Sequence, residues 1–185
     1  MKYTAIAILL LCCAPAFAGP VDCNQGSMEL WIQPNGEGQL VNVSDETVYF
    51  DGYEITSYNS LLSPSGWITI EGLIADGQEA LVASILGEEA LDFEVMGQSS
   101  VHTRVMSECN IHGWGALQPG DRWSLGVIAS QAMIDDMRFR YCCVIPGEGG
   151  TVTVGGWMYS PVAVPEPATL CLLGLGAAAA LRRRR

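Results

Sequence analysis

Short stretches of alternating apolar and polar residues recur along the chain, each closed by glycine, proline, asparagine or aspartate. A two-residue period places alternate side chains on opposite faces of a strand. Met28, Leu30 and Ile32 alternate with Glu29, Trp31 and Gln33. Residues 34–38 then turn the chain, and 39–43 resume a strand. Two more strands are predicted at 47–50 and 53–57, with Asp51-Gly52 as the turn between them. Residues 67–71 are predicted as another short strand. Leu91, Phe93 and Val95 share one face, and Val101, Thr103 and Val105 alternate with His102, Arg104 and Met106. Pro119-Gly120-Asp121 turns into a strand at 122–128. The clearest hairpin comes last: Met137, Phe139 and Tyr141 alternate with Arg138 and Arg140, a Gly-rich loop follows, and 151–159 return with β-branched residues. Residues 78–86, rich in Ala, Leu and Glu, are the one internal helix predicted. This spacing predicts an all-β domain over 19–160, a single β-sandwich of immunoglobulin-like or jelly-roll-like type.

The two ends break the pattern. Lys2 precedes an apolar run of ten residues, Ala5 to Ala14, too short for a bilayer span of about 20. Ala16 and Ala18 then stand where a signal peptidase reads small residues, which places cleavage between Ala18 and Gly19. Residues 1–18 are therefore expected to be a signal helix. Leu11 before Cys12 and Cys13 argues against a lipid anchor, since that position takes a small residue. At the other end, Val164-Pro165-Glu166-Pro167 leads into 14 apolar residues and then Arg182, Arg183, Arg184 and Arg185. As a helix the apolar run spans about 21 Å, short of the roughly 30 Å hydrocarbon core. The arginines favour a cytoplasmic C-terminus, with the preceding chain on the export side. The two prolines hold an extended entrance, suited to a protease that takes a strand-like substrate.

Motif, short apolar helix and terminal arginines, in that order, resemble a PEP-CTERM sorting signal over residues 161–185. The resemblance implies a Gram-negative-type bacterium, an exosortase that cuts near Pro165-Glu166-Pro167, and association with the cell surface and its exopolysaccharide. The central domain is similar to exported β-rich domains that precede the same tail. It also has a slight likeness to immunoglobulin-like lamin-tail domains. Neither likeness carries an activity.

Charge narrows the partners. The chain has 185 residues and a net charge of −11. Between Gly19 and Val164, 19 acidic residues face Arg104, Arg122, Arg138 and Arg140 and no lysine, a net −15. Such a surface repels phosphate backbones, which excludes nucleic acid as a partner. Asp45-Glu46, Glu88-Glu89 and Asp135-Asp136 are the candidates for calcium, but none has EF-hand spacing, and no cofactor is expected.

Removal of both ends leaves Cys23, Cys109, Cys142 and Cys143. In an oxidising compartment they point to disulfides. Adjacent Cys142 and Cys143 face opposite sides of a strand, so Cys23 and Cys109 are each expected to bond one of them. Cys109 and His112 have zinc-like spacing, but a second pair is missing.

There is no nucleophile elbow, zinc-protease helix or phosphate loop. The expectation is therefore an exported, exosortase-sorted surface or matrix protein without catalytic activity. It would be structural or adhesive in an exopolysaccharide layer and would touch the membrane transiently through its tail. A carbohydrate-binding module using Trp114 and Trp157 is the alternative, and a secreted hydrolase ranks third. In an all-β domain, however, each of Trp31, Trp67, Trp114, Trp123 and Trp157 is more often a core or staple residue.

Overall fold

The computed structural model describes residue 23 and residues 26–96, 103–147 and 152–164. The expected signal segment with Ala16, Ala18 and Gly19 lies outside the described residues, as do His102 and the tail from Pro165 through Arg185.

The described residues form two sheets. One has the order β10-β1-β2-β7, built from β1 (Met28–Ile32), β2 (Glu37–Asn42), β7 (Arg122–Val127) and β10 (Val162–Ala163). The second has the order β4-β5-β3-β8-β9. Its members are β3 (Val48–Ser57), β4 (Phe93–Val95), β5 (Val105–Asn110), β8 (Met137–Pro146) and β9 (Val152–Ser160). A sixth strand, β6 (Gly115–Leu117), pairs with the start of β3. Pairing is antiparallel throughout except between β1 and β10.

The apolar faces of the two sheets meet in one core, as a sandwich requires. Met28, Leu30, Leu40 and Leu125 come from the first sheet, and Phe50, Tyr53, Ile55, Met106, Phe139 and Tyr141 from the second. Two short helices, α1 (Ile70–Ala75) and α2 (Glu79–Leu86), add Ile70, Val82 and Leu86 to that core. Fully burying an aliphatic side chain stabilises by about 1.5–3 kcal/mol, so this shared core outweighs any single polar contact.

Three elements differ from the sequence expectation. The strands expected at 47–50 and 53–57 are one strand, β3, and Asp51-Gly52 is a bulge inside it, where the register to β8 shifts. Gly52 is needed there: a Cβ would come 3.1 Å from the Glu108 carbonyl and 3.2 Å from the Cys109 Cβ. The strand expected at 67–71 is only a bridge from Trp67 to Gly126 before the chain enters α1. Thr69 starts that helix, its hydroxyl accepting from the Gly72 amide at 2.8 Å. The strand expected over 101–106 begins at Val105 and runs to Asn110. The inward position Glu108 hid its second half, because a charged residue breaks an apolar pattern.

Glu108 is fully buried on the inner face of β5. One carboxylate oxygen accepts from the Tyr53 hydroxyl at 2.5 Å, and the other from the Glu71 amide at the start of α1 at 3.1 Å. Trp67 Nε1 donates to the same Tyr53 oxygen at 3.2 Å. Burial pushes the Glu108 carboxyl up to about 7, against the pull of those donors. Burial, and then the Glu108 charge, hold the Tyr53 phenol well above its ordinary value.

Candidate functional site

Alternation along β3, β5, β8 and β9 also fixes the outer face of the six-stranded sheet. Register places Glu94, Cys109, Gly52, Cys142 and Trp157 in one row across it. The next row runs Ser107, Glu54, Arg140 and Tyr159, and a third holds Val105, Thr56 and Arg138. Three shallow depressions of about 640, 560 and 240 Å³ adjoin in pairs, the first two through Val105, the last two through Glu54, and the first and last through Thr56 and Arg138, and together are termed a trough. It follows β3 from Asp51 to Tyr58, roughly 23 Å at about 3.3 Å per residue.

Arg140 stands at the middle of the trough. Its Nε donates to Glu54 Oε1 at 2.8 Å. Its guanidinium lies 4.4 Å from the Trp157 ring centre and 5.9 Å from that of Tyr159. The bond to Glu54 raises the Arg140 pKa, so the group stays charged. Trp157 and Tyr159 remain 44% and 56% exposed despite this stacking. At the far end, Tyr58 is 81% exposed beside Arg104 and Arg138. Both arginines donate to backbone carbonyls, Arg104 to Tyr58 and Arg138 to Asp135 and Met137.

The tryptophans separate cleanly. Trp67 and Trp123 are buried at 8% and 3% exposure. Trp31 is half-buried under the Arg122 guanidinium, 4.8 Å from its ring centre. Trp114 is half-buried and does not line the trough, whereas Trp157 does. Tyr159, Arg140 and Glu54 were missed in the sequence. Their signal was the polar half of the alternating hairpin, in which Arg138 and Arg140 must share a face with alternate residues of the returning strand.

The cysteines divide by face. Cys143 points inward and is bonded to Cys23, with Cα atoms 5.6 Å apart. The expected second bridge does not form: Cys109 and Cys142 are free thiols. They flank Gly52 from opposite sides, separated by β3. Two strand spacings amount to about 10 Å, beyond the roughly 7 Å limit for bridged Cα atoms. Cys142 is pushed up to about 12 by burial and by its hydrogen bond to Asp51. Burial, and next the Asp51 charge, raise Cys109, whose sulfur lies 2.9 Å from Met96 Sδ. Both shifts disfavour the thiolate, the form in which a cysteine reacts.

The carboxylate candidates have structural partners or stand apart. Asp136 accepts from the Ser57 hydroxyl and from the Asn59 amide and side chain. Among the described residues, no three His, Cys, Asp or Glu side chains gather to hold a metal, and His112 is exposed.

Comparison with known families decides what the end of the chain is. Residues 163–185 match the model of the PEP-CTERM protein-sorting motif. The chain carries a PEP-CTERM protein-sorting motif. A PEP-CTERM tail implies export and processing by an exosortase. No curated protein and no solved structure matches the chain. Among the described residues, no helix is long and apolar enough to cross a membrane.

Proposed function

We propose that this exported PEP-CTERM protein is an adhesive component of an exopolysaccharide layer, holding saccharide chains in the trough on its six-stranded sheet. The observation that carries this reading is the pair of exposed rings, Trp157 and Tyr159, beside the Arg140–Glu54 ion pair. Aromatic faces offer apolar area to the C–H faces of sugar rings, and flanking charged groups bond their hydroxyls. Trough length favours a polymer over a single sugar. Arg104, Arg138 and Arg140 are offset there by Asp51, Glu54, Asp135 and Asp136, so a neutral polymer suits it better than an anionic one.

A binding role accounts for these residues better than catalysis. Glu54 is tied to Arg140 and Asp136 to Ser57 and Asn59, whereas glycoside hydrolysis uses a facing pair of unengaged acids. Affinity electrophoresis of the purified protein through gels containing soluble neutral glucans, or exopolysaccharide from the producing cells, tests the reading. Retardation that disappears in Trp157→Ala and Tyr159→Ala is expected, with affinity falling about tenfold in each, the effect of losing roughly 1.4 kcal/mol. Equal mobility in all gels, or retardation unchanged by both substitutions, removes the proposal.

A further inference from the structure

The matched sorting motif begins inside the folded domain. Its first residue, Ala163, is the last residue of β10. That strand is an edge of the four-stranded sheet, with Val162 opposite Leu30 and Ala163 opposite Trp31 on β1. The Leu30 amide donates to the Pro161 carbonyl at 3.2 Å, and Val162 packs against the core. Just upstream, the Ser160 hydroxyl accepts from the Gly26 amide at 3.2 Å. Only Val164 separates the sheet-paired Ala163 from Pro165. One extended residue spans at most about 3.6 Å. A protease that closes around an extended substrate needs chain on both sides of its target, and here the sandwich occupies one side.

We infer that β10 gates tail processing: the exosortase seats the motif only after β10 has left the edge of β1. The strand is two residues long, its side chains are half-buried, and it pairs on one side only. Such an edge opens locally while the remainder stays folded. The Cys23–Cys143 bond ties β8 to the chain before β1 and includes no residue of β10. Folding and sorting are thereby coupled through one short strand. The inference rests on the sorting motif and stands apart from the saccharide proposal.

The test is a pulse–chase of the full chain in an exosortase-bearing host, following conversion of precursor to processed protein. One variant carries about six inserted Gly/Ser residues between Val164 and Pro165, a reach of roughly 20 Å. A second is Val162→Asp, which weakens β10 against the core, with Val162→Thr as a milder form should the first fail to fold. Circular dichroism confirms the fold of each. Insertion and substitution should each speed processing about fivefold or more, the population shift expected from about 1 kcal/mol of lost edge stability. Combined, they should give no further gain, because both remove the same barrier. Acceleration by the insertion alone would mean that crowding by the domain, and not strand release, limits processing. Wild-type rates in both would mean that the motif is already accessible. Either result overturns the inference.

Discussion

The two faces of the six-stranded sheet share the same strands and differ in almost everything else. The inner face carries Phe50, Ile55, Met106, Phe139 and Tyr141, closed over by the second sheet. Its one charged residue, Glu108, is surrounded by hydrogen-bond donors. On the outer face stand an ion pair, two exposed aromatic rings and two free thiols, of which Cys109 is half-buried and Cys142 buried. Cys142 and Cys143 show the contrast within one dipeptide: the first is a protonated thiol on the open face, the second a disulfide partner in the core. Period-two alternation assigns a residue to a face, and only the tertiary partner on that face decides its chemistry.

The hardest blow to the inner face is Cys143→Ser. The bond closes a loop with a sequence separation of 120, so the chain-entropy model predicts a loss of about 4–5 kcal/mol. Urea unfolding of the purified protein measures this. Mass spectrometry provides a companion check, since reduction of the mature protein should add two hydrogens, with Cys109 and Cys142 already reduced. A gain of four would show that a second bridge forms.

Next in size is the effect of pH on Glu108. Its folded value of about 7 lies above the ordinary 4.5, so the native state binds the extra proton between those values. Stability from this group is therefore complete below about pH 4.5 and is lost as pH rises through 7. The upper bound on the loss is about 3 kcal/mol. Glu108→Gln should flatten unfolding free energy between pH 5 and 8 and raise stability above pH 7. A slope equal to that of the unsubstituted protein would place the titration elsewhere.

The smallest expected change in stability sharpens the comparison most. Trp157→Ala on the open face should lower unfolding free energy by about 0.5–1 kcal/mol, the worth of an exposed cation–π contact such as the one it makes with Arg140. Saccharide affinity should still fall about tenfold in the same variant. A large loss of stability would mean that Trp157 serves packing, and the two faces would no longer divide so simply.

Much of the fold was legible. The hairpin of β8 and β9, the first two strands, β7 and α2 follow from periodicity and turn residues, because each is specified by neighbours a few positions away. The bulge at Asp51-Gly52 was not, because aspartate followed by glycine also marks a hairpin turn. What favours glycine at this bulge is the close approach of Glu108 and Cys109 from another strand. The second half of strand β5 escaped notice because a buried carboxylate looks polar until Tyr53 and the start of α1 are brought to it. Of the candidate site, the sequence marked Trp157 as a possible platform but could not separate it from Trp114. Exposure depends on which strands leave a face uncovered.

The sequence by itself determined the sorting motif, the acidic balance and the opposite facing of Cys142 and Cys143. Each is a local property: a linear signal read by a processing enzyme, a sum of charges, a two-residue period. Tertiary structure decided which cysteines bond, because β3 stands between Cys109 and Cys142. It also built the trough across strands distant in sequence, and paired the first residue of the sorting motif with β1. Those outcomes depend on distances between segments far apart along the chain, and such distances exist only once the two sheets have packed.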